Sequence, residues 1–280
     1  MSAETSAAIS GTFHTAAQLA AARNAAPDIT LVTPDGVSFY VHISVLNAAS
    51  SNGFGGLLST PIPSNGVVVA RHATCELDLV LRVAYGIGNM DNVAPWESLT
   101  RAVALLVSYY KIPLPGPGNA LFGALAAHVD CMDDALDLYA FAAESHYDAL
   151  AVYASQHLLS FSLLDMTLEW FVRVGVEYVH RLYVLHAERT SKYQHIVFCR
   201  PTLHSPQPEC IAQDMADLLW AWDTAAVGLI FHARAGVPNS EIEAALGPVA
   251  ADCKCATCAT AVRDRIDAIV QEWSAVKTTI

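Results

Sequence analysis

The sequence predicts an α+β fold, a short sheet flanked by helices as far as Pro113 and an all-helical second half. Three observations predict it. A β-branched run, Ile29 to Val32, meets turn chemistry at Pro34-Asp35-Gly36 and is followed by Val37, Phe39 and Val41 alternating with Ser38 and Tyr40, the period-two pattern of a half-buried hairpin. From Leu77 onward the apolar residues recur at three- and four-residue steps, which is helical. Between the two halves, Pro113-Leu114-Pro115-Gly116-Pro117-Gly118-Asn119 supports neither a helix nor a sheet interior.

Element by element, residues 1–26 are rich in Ala, Ser and Thr and read as a flexible arm in which Phe13, Leu19 and spaced alanines offer only a weak helix. The hairpin runs straight into a short helix at His42 to Leu46, and Phe54-Gly55-Gly56-Leu57-Leu58 closes that helical pair. Ser59 to Gly66 is a loop by its Pro, Asn and Gly content, and Val67 to Ala70 is a third short strand. Leu77, Val80, Leu81, Ala84 and Tyr85 share one helical stripe, with Thr74 as N-cap and Gly86 and Gly88 as stops. Leu99, Val103, Leu106, Val107 and Tyr110 make another, ended before Pro113. The organisation is therefore an arm (1–26), an α+β domain (27–113), a Pro/Gly linker (114–120) and a helical domain (121–280) with a Cys-rich C-terminal segment. In that domain, Asp133 to Ser155 carries an amphipathic pattern with acidic residues in its first turn, where the helix dipole favours them. Helices at Leu163 to Val174, Val176 to Lys192, Asp214 to Gly228 and Ala261 to Ala275 complete it, with Tyr178, Leu182, Tyr183 and Leu185 as core. Trp220 and Trp222 point to different helix faces, so one is exposed to a partner.

The order of these residues resembles a BTB/POZ domain. The matching positions are Asp28, Phe39, His42, Val45, Leu46, Ser51 and Phe54, with Leu46 and Ser51 one residue further apart than the usual pattern. Later the Leu-rich segment ending in Tyr85-Gly86 and the segment ending in Tyr110-Lys111 resemble the second half of that domain, so the likeness spans residues 28 to 112. Leu138 to Leu150 resembles the first helical pair of the BACK extension that follows BTB domains, as in fungal BTB proteins, a likeness that extends to about residue 195. The resemblance implies a protein–protein interaction module, a self-associating scaffold or adaptor that dimerises through its first strand and helices. It also raises a cullin-ligase adaptor role, which is weakened here because Ser59 to Ala70, where cullin-binding members carry a hydrophobic-x-Glu motif, contains no Glu.

Composition removes several classes. The 280 residues are 54% hydrophobic and 15% charged, ample for buried cores and unlike a disordered chain. A net charge of -12, from 15 basic against 27 acidic residues with no basic run, opposes nucleic acid and anionic membrane surfaces. Ala102 to Tyr110 and Val227 to Phe231 are apolar but far shorter than the roughly 18 residues of a membrane span. Met1 to Ser6 lacks the pattern of a secretory signal. Seven unevenly spread cysteines then suit a reducing intracellular compartment, cytoplasmic or nuclear.

Chemistry has one candidate location. Cys253, Cys255 and Cys258 lie within six residues just before a helix, and Cys199, His204 and Cys210 sit in a Pro-rich loop as remote ligands. Three thiols and one partner complete a tetrahedral zinc shell; the same residues also read as a cluster of reduced thiols, or as the centre of a zinc enzyme or redox protein. No catalytic residues are assigned. The eleven histidines do not cluster, His42 is read as fixing the strand-to-helix corner through backbone bonds, and Gly-x-Ser-x-Gly, His-Glu-x-x-His and Walker-type patterns are missing from the sequence. Gly53 to Gly56 has no following Lys to meet a phosphate. Asp133 with Asp134 and Glu241 with Glu243 read as solvated helix-start charges.

Overall fold

In the computed structural model, residues 8–13, 26–87 and 94–280 are described. The weak helix expected around Leu19, and Gly88 as a helix stop, lie outside them. The fold is mixed α+β, with ten α-helices and one four-stranded sheet among the described residues. The chain forms two compact units, one built from residues up to Asp130 with Ser145–Leu150, the other from Cys131–Glu144 with Ala151–Ile280.

In the first unit, β2 (Ile29–Val32) and β3 (Val37–Val41) pair antiparallel with Leu31 opposite Phe39. The hairpin closes where Gly36, at φ 84°, donates to the Thr33 carbonyl at 2.9 Å, a left-handed turn position that favours glycine. β4 (Val67–Val69) adds parallel to β2, and β1 (Ala8–Ile9) adds parallel to β3, giving the order β1-β3-β2-β4. The arm is thus fixed over residues 8–13. Ser10 N–H donates to the Ser38 carbonyl, Tyr40 N–H donates to the Phe13 carbonyl, and the Phe13 ring is fully buried. A single large aromatic in an Ala/Ser/Thr background docks onto the sheet, which composition alone hides.

Helix α1 (Ile43–Ala49) follows β3 directly. Helix α2 (Thr74–Tyr85) buries Leu77, Leu79, Val80 and Leu81 and ends at Gly86 in the left-handed conformation, as expected from the glycine. Its N-cap is Ala73, and Thr74 is already helical. Capping falls to the hairpin: Asp35 Oδ1 accepts from Thr74 N–H at 3.3 Å, and Thr33 and Thr74 hydroxyls bond at 2.9 Å. Those hydroxyls, Thr74 first and then Thr33, hold the Asp35 carboxyl below the usual range. Helix α3 (Trp96–Ala104) continues into a wider π-helical turn, Leu105–Tyr110, and stops at Lys111, φ 51°. Helix α4 (Ala120–Ala126), capped by Asn119 Oδ1, packs on α2 and α3. The Tyr147 hydroxyl donates to the Pro115 carbonyl. The Pro/Gly stretch is therefore tied into the first unit, and the division between units falls beyond it.

The ring of His72 lies against Tyr109 and Tyr110 at centroid distances of 4.7 and 5.5 Å, and its Nε2 has no hydrogen-bond partner among the described residues. Burial lowers its pKa, opposed by Glu76 and assisted by Arg71. The unfolded chain then takes up this proton more readily than the folded one, so the imidazole subtracts stability as pH falls below about 6.5. His72→Gln is expected to flatten the fall in melting temperature between pH 7 and pH 5; parallel curves for wild type and variant would contradict it.

The second unit is helical. Helix α5 (Met132–Glu144) and helix α6 (Asp148–Ser155), which crosses the division, are separated at His146, φ 51°. Helix α7 (Leu168–Phe198) is interrupted at Gly175, whose φ of 78° and ψ of 156° are not helical. Tyr178, Leu182 and Leu185 are buried as expected, whereas Tyr183 is 61% exposed because it falls off their i, i+4, i+7 stripe. Helix α8 (Ala212–Phe231) buries Trp222 completely and leaves Trp220 72% exposed, the split their spacing demands. Helix α9 (Asn239–Ala251), expected from sequence only through the helix-start charges Glu241 and Glu243, contains Pro248 near its end. Helix α10 (Ala256–Ser274) packs on α9 and α7, closing a core that includes Tyr193, Trp222, Leu246, Val262 and Trp273. No helix among the described residues is long and apolar enough to cross a membrane.

Candidate functional site

Two groups of sequence-marked residues are assembled, one in each unit. In the first, Asp28 Oδ1 accepts from Ile43 N–H at 2.8 Å, capping α1 from the start of the hairpin. His42 is buried, and its backbone N–H donates to the Tyr85 hydroxyl at 2.7 Å. That hydroxyl also meets His42 Nδ1 at 3.0 Å, so the corner is fixed by a phenol from α2 in addition to any backbone contact. Burial pushes the Tyr85 pKa up to about 12. Phe39, Leu46 and Phe54 are fully buried, and Val45 is half-buried.

Ser51 is exposed, whereas Ser50 is buried, donates to the Tyr110 carbonyl at 2.7 Å and accepts from Phe54 N–H at 2.8 Å. After Ser50 the chain turns through left-handed backbone at Gly53 (φ 64°) and Phe54 (φ 53°).

In the second unit, four side chains converge: His204, Cys210, Cys255 and Cys258, whose ligand atoms all lie within 4.8 Å of one another. Two elements supply them. The loop between α7 and α8 carries His204 and Cys210, the latter held where Gln207 and Cys210 exchange backbone bonds at 3.0 Å across Pro208-Glu209. The start of α10 carries Cys255 as its N-cap and Cys258 one turn on. The Cys210 and Cys258 sulfurs are 3.8 Å apart, and His204 Nε2 is 3.3 Å from Cys255 Sγ. His204 Nδ1–H donates to the Ser205 carbonyl at 2.6 Å, which turns Nε2 toward the thiols.

Of the three clustered thiols expected from sequence, two are in the group. Cys253 lies outside it and donates through Sγ to the Cys255 carbonyl, because it precedes the helix and is not on the turn that aligns Cys255 with Cys258. Cys199 also lies outside, its thiol donating to the His195 carbonyl. The remote ligands His204 and Cys210 take their place.

The thiols are electrostatically unequal. The backbone amide of Cys258, then the His204 side chain, pull the Cys255 pKa down to about 6. Burial, then Cys210 and Cys255, push Cys258 up to about 12, and burial also raises Cys210. The hydrogen bond to Ser205, followed by that to Cys255, raises His204. A cleft of about 340 Å³ opens beside the sulfurs, lined by Asp214, Asp217, Asp252 and Lys254 over Leu218 and Val249, and gives solvent access to the site. Asp214 also accepts from Ile211 N–H at 3.1 Å, fixing the start of α8 behind Cys210.

No family model matches the chain, and no curated protein matches it.

Proposed function

We propose that the chain is a non-enzymatic protein–protein interaction module of the BTB/POZ kind, self-associating through its first unit, with a BACK-like helical second unit. The observation that supports it best is the corner at His42. A hairpin passes directly into α1 while Asp28 caps that helix and Tyr85, at the end of α2, grips both the backbone and the ring of His42. The residues that carry the sequence resemblance are thus joined to one another, and β4 returns parallel to β2 before α2 and α3 in the expected order.

Self-association through the first strand fits its place at the sheet edge, where β1 leaves Ile9 56% exposed. A cullin-adaptor role is not favoured, since residues 59–70 lack the acidic recognition residue. Light scattering on the purified full chain at micromolar concentration is expected to return a dimer mass, and Ile9→Asp to shift it to the monomer. A wild-type chain that stays monomeric across that range overturns the reading.

A further inference from the structure

We propose that His204, Cys210, Cys255 and Cys258 form a closed, structural Zn²⁺ site that fastens the loop between α7 and α8 to the start of α10. This stands independently of the interaction reading. Bond lengths of about 2.3 Å for Zn–S and about 2.05 Å for Zn–N place tetrahedral ligands about 3.8 Å apart for two sulfurs and about 3.5 Å apart for sulfur and nitrogen. The Cys210–Cys258 distance is 3.8 Å and the His204–Cys255 distance is 3.3 Å, from residues 48 and 51 positions apart in sequence. Two of the six ligand separations therefore match a metal shell, and all six lie within 4.8 Å, between side chains that chain connectivity does not force together.

A disulfide explains less. Its sulfurs would sit about 2.05 Å apart, and it would need neither a third thiol nor an imidazole aimed at the same point. The imidazole is aimed: with Nδ1–H given to the Ser205 carbonyl, the neutral ring presents the Nε2 lone pair to the sulfurs, the arrangement that orients metal-ligating histidines. Soft thiolates with one imidazole select zinc over magnesium or calcium, and Fe–S clusters take four thiolates as a rule. Four protein ligands fill the tetrahedron and leave no open position for substrate, so the role is structural and not catalytic. Binding displaces protons: one Zn²⁺ enters, three thiolates and a neutral imidazole coordinate it, and the protons carried by the metal-free thiols and imidazole pass to solvent.

The loop needs such a fastening. From Ser205 to Glu209 every residue is exposed, and only Pro201 and Cys210 are buried between Cys199 and Ile211. With so little apolar burial, a metal clip between the loop and α10 supplies order that packing does not.

The test is the metal content of the purified full chain by mass spectrometry, with Co²⁺ substitution read by visible absorption. One zinc per chain is expected, together with the intense d–d bands of tetrahedral Co²⁺ and thiolate charge transfer. His204→Ala, at a half-exposed loop position that tolerates truncation, and Cys255→Ser are each expected to weaken metal affinity at least tenfold. Cys253→Ser is expected to keep full occupancy, which separates this ligand set from the contiguous three-thiol one. The proposal is overturned by a chain that neither holds zinc nor gives tetrahedral Co²⁺ bands on titration. It is overturned equally if His204→Ala and Cys255→Ser bind as tightly as wild type, or if Cys253→Ser loses the metal.

Discussion

Replacing Arg189 by Ala is expected to lower the unfolding free energy of the second unit by about 3–5 kcal/mol, the sum of stranded carbonyls and a lost ring contact. Arg189 lies on α7, is only 5% exposed, and has no carboxylate among its described contacts. Instead Nε donates to the Ala235 carbonyl and Nη1 to the Val276 and Lys277 carbonyls, each at 2.8 Å, while the guanidinium lies 4.2 Å from the Trp273 ring centroid. Val276 and Lys277 lie just past the end of α10, so the charge sits at the negative end of that helix dipole, which explains how a buried cation is tolerated without an anion. Burial still pulls its pKa down, although a guanidinium stays charged.

The consequence is that the residue joins three segments: α7, the turn before α9, and the chain after α10. Truncation leaves three carbonyls without their donor and opens a void beside Trp273. Arg189→Lys is expected to recover less than half of the loss, because one ammonium on a flexible stem cannot reproduce the planar fork or the stacking. Denaturant unfolding followed by tryptophan fluorescence reads this, with Trp273 as a reporter beside the mutated position. A loss below about 1 kcal/mol in the Ala variant would show that water replaces the guanidinium without penalty, against the burial argument.

Where physics is local, the sequence was readable. The hairpin follows from Pro34-Asp35-Gly36 because a left-handed turn position favours glycine, and the opposite fates of Trp220 and Trp222 follow from helical period alone. Helix α9 was legible only at its start, in the charges Glu241 and Glu243; its Pro248 falls in the last turns, where few backbone bonds are lost and Asp252 N–H still donates to the Pro248 carbonyl. The His/Cys cluster was half legible. Cys255 and Cys258 are one helical turn apart and announce themselves by spacing, whereas Cys253 is close in sequence and wrong in direction. His204 and Cys210 belong to the group through tertiary packing across some fifty residues, and their candidacy rested on residue type in a Pro-rich loop.

Phe13→Ala is expected to cost the first unit about 3–5 kcal/mol, the range for emptying a fully buried phenylalanine site. The ring packs 5.9 Å from Phe39 and 5.4 Å, edge-on, from Tyr85, centroid to centroid. Strand β1 has only two residues, too short to hold itself on a sheet edge through ladder bonds. Its attachment therefore depends on residues 10–13: Ser10 N–H donates to the Ser38 carbonyl, Arg82 Nη2 donates to Thr12 Oγ1 at 2.5 Å, and above all the ring is buried. Losing that ring releases the segment and also uncovers Tyr85, the residue that fixes His42, so the effect reaches the corner that supports the interaction reading. Phe13→Leu should restore more than half of the stability by refilling most of the volume. Two measurements separate the alternatives. Denaturant unfolding gives the free energy, and hydrogen exchange at Tyr40 N–H, whose acceptor is the Phe13 carbonyl, reports whether the strap has lifted. If Phe13→Ala unfolds like wild type and Tyr40 keeps its protection, residues 8–13 contribute no anchoring, and an edge strand so weakly held would be a poor foundation for self-association.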